Sequence, residues 1–198
     1  MRTALVFSFV LALAACGSPE PVGASVSVAE AMSGDTVGYA RADVVREFTF
    51  PADHGPHPAF KAEWWYVTGN LRATDGTNRR FGVQFTVFRS ALAPDTAGAR
   101  RASAWATDQL YMAHVAIGDV AAETFYDAER FARGAAGLAG ASAEPVRAFL
   151  GPVRLAEAGD AAGAVPLRIE GEADGAAFDL TARPLKPCLL YTSDAADE

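Results

Sequence analysis

The residues best suited to chemistry crowd into one stretch, Phe50-Pro-Ala-Asp-His-Gly-Pro-His-Pro-Ala-Phe-Lys-Ala-Glu-Trp-Trp-Tyr66. Asp53, His54, His57 and Glu63 are all of metal-ligand type. A zinc site would need three or four of them to converge at about 2.0–2.2 Å, and His-x-x-His on a loop rich in proline and glycine has no fixed geometry to bring that about. The preferred role of Asp53 and His54 is therefore to fix the loop by bonding backbone groups. No metal or other cofactor is expected.

Glu63-Trp-Trp-Tyr66 is the more unusual run. In an alternating strand Glu63 and Trp65 point one way and Trp64 and Tyr66 the other, so one pair lines an interior while the other lies outside. Tryptophans serve mostly as core or belt residues, but aromatic walls are also what apolar ligand sites are made of. Further along, His114 stands among Leu110, Met112 and Ala116. A lone histidine there is more often a satisfied core group than a catalyst, and gains interest if Glu63 or Gln84 lies across the sheet. Arg89 has the plain role of capping a strand end or pairing with a carboxylate. Glu63, His114 and Tyr66 are the acid–base candidates; Trp64, Trp65, Tyr66, Gln84, Arg89 and His114 are the candidate ligand contacts.

These side chains must be held by strands. Phe81-Gly-Val-Gln-Phe-Thr-Val-Phe-Arg89 alternates, with Phe81, Val83, Phe85 and Val87 opposed to Gln84, Thr86 and Phe88. It follows Trp64–Leu71 across Asp75-Gly76, a hairpin signal, so the two are expected as antiparallel neighbours. Trp105–Ile117 alternates as well, with Gln109, Tyr111, Ala113, Val115 and Ile117 on one side. Residues 123–126, 153–156, 167–172 and 177–182 read as further strands, with Asp174-Gly175 marking a second hairpin. Residues 28–32, 96–102 and 133–143 are the places where a short helix is conceivable, although loops suit the last two equally. Short strands and frequent turns predict an all-β, antiparallel barrel or sandwich.

The ends carry addresses rather than fold. Arg2 and the apolar run to Leu13-Ala-Ala-Cys16 have the form of a secretory signal peptide, too short to span a bilayer as a helix. A cysteine directly after Leu-Ala-Ala resembles the bacterial lipobox, where sulfur is acylated and the chain is cut. Several acyl chains on Cys16 give stable membrane attachment, each buried CH₂ adding about 0.8 kcal/mol. Gly17-Ser18 lacks the aspartate of inner-membrane retention, so the periplasmic face of the outer membrane is the expected address. Residues 17–43 are small and polar and read as a tether. Residues 188–198 resemble the translation of a sequencing-library adapter; they are set aside, and no Cys16–Cys188 bridge is inferred. The domain itself is expected over 44–187.

Without Arg2 and the acids Asp194, Asp197 and Glu198, the 17 basic and 24 acidic side chains become 16 and 21, a net of −5. There is no basic stripe, so nucleic acid is not an expected partner. P-loop, dinucleotide, nucleophile-elbow and Cys-x-x-Cys signatures are lacking.

Phe50-Pro-x-Asp-His-Gly-x-His-Pro-x-Phe-Lys-x-Glu-Trp-Trp-Tyr-Val-Thr-Gly-Asn-Leu71, Gly82-Val-Gln-Phe-Thr-Val-Phe-Arg89, Gln109-Leu-Tyr-Met-Ala-His114 and Glu129–Gly140 together resemble the lipocalin-like family that contains carotenoid hydratases and AttH-type secreted proteins. The resemblance implies two tandem lipocalin-like β-barrels in the full protein, with the first one here. It implies an apolar lipid or isoprenoid ligand, and either hydratase or hydrolase chemistry or a non-catalytic carrier role. The family's acidic catalytic motif lies outside the matched stretch, so it is carried onto no residue here.

The lipobox reading has a direct consequence. Cys16→Ser is expected to move the protein from the membrane to the soluble periplasmic fraction; retention in membranes after carbonate washing contradicts it.

Overall fold

The computed structural model describes residues 35–43, 46–94, 103–159 and 165–186. The regions of the signal peptide, Cys16, the possible helices at 28–32 and 96–102, and the tail from 187 onward lie outside these residues. Among the described residues no helix is long and apolar enough to cross a membrane.

Among the described residues nine strands make two antiparallel sheets. The first runs in the order β1 (Ala62–Arg72), β2 (Arg80–Ala91), β3 (Gln109–Asp119) and β4 (Thr124–Arg133). The second comprises β5 (Ala139–Ala143), β6 (Val146–Leu150), β7 (Val153–Glu157), β8 (Leu167–Ala173) and β9 (Ala176–Ala182), again in chain order. Both sheets are plain meanders, and each predicted hairpin forms: Gly76 and Gly175 take left-handed backbone angles that favour glycine, φ +86° and +91°, in the turns after Asp75 and Asp174. No ladder joins the two sheets among the described residues, so the all-β antiparallel expectation holds at the level of two facing sheets.

The structure adds two strands that the sequence pattern missed. Residues 133–143 are not helical. After Arg133 the chain turns through Ala136 and Gly137, both with positive φ, and enters β5. β5 reads Ala-Gly-Ala-Ser-Ala and β6 is only five residues long, so neither carries a side-chain alternation long enough to recognise. The fourth predicted strand is also longer than expected, ending at Arg133 rather than Tyr126. Residues at the end of the expected tether are fastened down: the Tyr39 hydroxyl donates to the Ala91 carbonyl at 3.1 Å, and the Ala40 amide to Ala59 at 2.9 Å.

The core lies between the facing sheets. Phe85, Val87, Tyr111, Ala113 and Val115 of the first sheet meet Val146, Ala148, Leu150, Val153, Leu155 and Ile169 of the second. Phe85, Val87, Val115, Val146, Val153 and Ile169 are almost wholly withdrawn from water. These side chains fill the space where a barrel would hold a ligand.

Burial of this kind sets a stability prediction. Phe85→Ala should cost about 3–5 kcal/mol, by lost transfer energy and the cavity left behind, whereas the exposed Phe125→Ala should fall within about 0.5 kcal/mol of the parent. Urea titration followed by circular dichroism checks both; a Phe85→Ala loss no larger than that of Phe125→Ala contradicts this core.

Candidate functional site

Strand parity divides the candidate residues between the two faces of the first sheet. Glu63, Trp65 and Arg89 point inward toward the second sheet, while Trp64, Tyr66, Gln84 and His114 point outward. Glu63 therefore cannot join His114 and Tyr66 in one acid–base set, because a residue on one face of a pleated strand is separated from the other face by the backbone. The opposite orientations of Glu63 and Tyr66 are those that strand alternation implies.

The inward group is a latch. Arg89 is 2% exposed, and its guanidinium donates to four acceptors: Nε to Glu63 Oε1 at 2.5 Å, Nη1 to Gln109 Oε1 at 2.7 Å, and Nη2 to the carbonyls of His57 and Phe60 at 3.0 and 2.8 Å. Glu63 faces Arg89 directly across the β1–β2 ladder. Its carboxylate also accepts from the His57 amide at 2.8 and 3.0 Å, and its Oε2 lies 3.1 Å from His57 Nδ1. The other ring nitrogen of His57 lies 3.0 Å from Asp53 Oδ1, which accepts from Arg46 at 2.7 Å, while Asp53 Oδ2 accepts from the Thr49 amide. The hydrogen bonds from His57, then those from Arg46 and Thr49, hold the Asp53 carboxyl well below the usual carboxylate range.

The same loop is seated on its neighbours. A 3₁₀ turn spans Ala52–His54, and the His54 carbonyl accepts from Trp65 Nε1 at 2.7 Å. Gly55 passes so close to the second sheet that a Cβ there would stand 2.5 Å from the Ala143 Cα. Only glycine permits that approach. The His54 ring packs on Phe50, with centroids 4.5 Å apart, and burial pushes its pKa down. Among the described residues no three His, Cys, Asp or Glu side chains are arranged to hold a metal. Asp53 and His57 meet, but they do so as hydrogen-bond partners within the latch, while the His54 ring is stacked on Phe50.

The outward face is built in rows, since antiparallel register places one residue of each strand side by side. Trp64, Phe88, Met112 and Phe131 form an apolar row across all four strands. The next row is Tyr66, Thr86, His114 and Glu129, and the one after it Thr68, Gln84, Ala116 and Asp127. Trp64 and Phe88 rings are tilted against each other at 6.2 Å, Phe88 meets the His114 ring edge-on at 5.7 Å, and His114 Nε2 lies 2.8 Å from Glu129 Oε2. His114 is thus faced by Thr86 and Glu129, with Gln84 one row away. Trp64 is 63% exposed, Tyr66 52% and Phe131 42%, so roughly 300 Å² of aromatic surface meets water here. The largest apolar patch of an ordinary domain is of about this size and is often functional.

Phe88, Met112, Glu129 and Phe131 were not among the predicted site residues. The signal that finds them is cross-strand pairing, which becomes visible only once the fourth strand is extended through Phe131. A separate cavity of about 490 Å³ lies at the opposite end of the first hairpin, lined by Asn70, Leu71, Arg72, Arg80, Phe81 and Val120. None of the predicted site residues borders it.

The fold and this face define an all-β, two-sheet antiparallel domain with an aromatic outer surface. The AttH-like family model matches residues 41–196, and the chain belongs to that family. That span takes in part of the tail beyond Pro187. A crystal structure of an AttH-designated protein from Nitrosomonas europaea is similar, with 28% identity and a TM-score of 0.51 over 72% of this chain. The match covers 39% of that longer chain, so this chain spans about two fifths of its relative's length. No significant match is found among curated proteins.

The latch predicts a coupled response. Glu63→Gln should destabilise the domain by about 3–5 kcal/mol, because it leaves a buried guanidinium without its carboxylate. Glu63→Gln combined with Arg89→Met should cost less than the two single changes added together. Additive losses in a denaturant double-mutant cycle contradict a direct Glu63–Arg89 coupling.

Proposed function

We propose that this chain is the apolar-ligand domain of an exported, lipid-anchored AttH-like protein, and that it holds a linear lipid or isoprenoid against the Trp64–Phe88–Met112–Phe131 row. The observation that carries the reading is the row itself. Four large apolar side chains cross three strand spacings, roughly 15 Å, with Trp64 and Phe131 exposed and Phe88 and Met112 half-buried between them. The neighbouring row grades from Tyr66 to Thr86, His114 and Glu129, which suits a ligand with a long apolar body and a polar end. The lipobox at Cys16 supports the envelope setting, because it would keep such a domain beside the membrane that supplies the ligand.

One observation favours catalysis over carriage. The His114–Glu129 pair lies next to the apolar row, and water addition to an alkene, like hydrolysis of an ester, needs a proton donor or acceptor poised beside the reacting carbon. In the carrier reading the same pair only anchors the polar end of the ligand.

Titration of the purified protein, lacking residues 1–16, with cis-parinaric acid as a fluorescent linear probe tests the reading. Trp64→Ala combined with Phe131→Ala should weaken binding by about tenfold or more, equivalent to about 1.4 kcal/mol, while Leu71→Ala beside the other cavity should leave it unchanged. Unchanged binding in the double variant removes the row as the ligand site. His114→Ala separates the two roles: binding retained with turnover lost supports catalysis, and binding and turnover reduced in proportion supports an anchoring role.

A further inference from the structure

We propose that the far end of the first hairpin binds a phosphoryl anion between Arg72 and Arg80. The site lies roughly 27 Å along β1 from Trp64, and it does not rest on the apolar row proposed above as a ligand surface.

Arg72 and Arg80 are Cα partners across the β1–β2 ladder, and both are exposed. Like charges directly opposite each other in an antiparallel pair destabilise it. The aspartates of this end are engaged elsewhere. Asp119 pairs with Arg79 and accepts from the Ala121 and Ala122 amides at 3.1 and 3.2 Å, and Asp75 accepts from the Thr77 amide and hydroxyl at 2.9 and 2.6 Å. Among the described residues no acceptor meets the guanidinium of Arg72 or of Arg80. A phosphoryl group is the counter-charge that suits them, because a guanidinium pairs with its oxygens through two parallel N–H bonds, and two guanidiniums on adjacent strands reach it from two sides.

The surroundings supply the rest of a site. Both arginines border the cavity of about 490 Å³, together with Asn70, whose amide is a further donor, and with Leu71, Phe81 and Val120. That volume is within the ordinary range for small-molecule sites. The approach along the sheet is open: Asn70 pairs with Gly82, and Gly82 with Gly118, so no side chain rises from the middle of that row, and a Cβ built on Gly82 would meet nothing within 4 Å. Three apolar side chains beside two guanidiniums favour a phosphate carried on an apolar chain, since burying those walls against a bare ion gains nothing. A lipid headgroup therefore suits the cavity better than free phosphate.

Isothermal titration calorimetry of the full chain in low-salt buffer tests this, with monomeric dihexanoyl phosphatidic acid and, separately, inorganic phosphate as probes. The phosphatidic acid should bind, and Arg72→Gln or Arg80→Gln should each weaken binding by about tenfold or more, as loss of a charged hydrogen-bond partner does. Because the two side chains are exposed and repel each other, neither variant should unfold at a lower urea concentration than the ligand-free parent, which separates lost binding from lost folding. Inorganic phosphate binding more weakly than phosphatidic acid by about tenfold or more supports the site and assigns it to a lipid headgroup. Equal affinities support the anion site and assign it to soluble phosphate compounds. Absence of binding by both probes overturns the proposal, as does phosphatidic acid binding that is unchanged when Arg72→Gln and Arg80→Gln are combined.

Discussion

The buried guanidinium of Arg89 is the constraint on which the first sheet and its loop depend. A cation taken out of water is tolerated only where its donors are met in good geometry. Here Glu63 supplies the charge, Gln109 a side-chain oxygen and the 57–60 segment two carbonyls. Those acceptors come from β1, from β3 and from a loop that would otherwise have no reason to fold back over the sheet. Satisfying one side chain therefore fixes three pieces of chain at once. Glu63 is then held at its other acceptor sites by His57, and His57 by Asp53, so the network ends at the exposed Arg46 rather than in an unpaired buried group.

This arrangement explains why the polar stretch before β1 resembles a catalytic or metal centre in composition and behaves as a fastening in space. Two carboxylates, an imidazole and two guanidiniums gathered around one loop are what an active site often uses. Each is committed to a backbone amide, a backbone carbonyl or a partner inside the network, and the Gly55 passage against Ala143 ties the loop to the second sheet. A metal would have to displace the hydrogen bonds that hold the loop closed. The groups with exposed polar atoms beside an apolar surface are instead on the far side of the same strands, at His114 and Glu129.

Much of this was legible in the sequence where alternation ran long enough. The faces of β2 and β3, both hairpin turns and the opposite orientations of Trp64 and Trp65 follow from a period of two and from Asp-Gly pairs. β5 and β6 were not legible, because five residues rich in alanine and glycine carry no periodic contrast. The pairing of His114 with Glu129 was hidden for a different reason. It depends on the register between β3 and β4, and register is set by the packed inner face and the turn at residues 120–123, which residue types in one strand do not encode. Glu63 and Arg89 illustrate the converse: the plain role of carboxylate partner was evident for Arg89, yet nothing in the sequence said that the partner would be Glu63 or that both would be enclosed.

Register also links the latch to the outer face. A slip of one residue between β1 and β2 would turn Trp64 and Tyr66 toward the core and Trp65 outward, since side chains alternate with a strict period of two. Hydrophobic contrast opposes that slip only weakly in a segment with aromatics on both faces. The Glu63–Arg89 pair opposes it strongly, because moving either residue to the outer face would strand the other in the interior as an uncompensated charge. The inward ion pair thus specifies which tryptophan meets water. The apolar row on the outside, with Phe88, Met112 and Phe131 aligned to Trp64, is positioned by a charged contact on the opposite side of the same backbone.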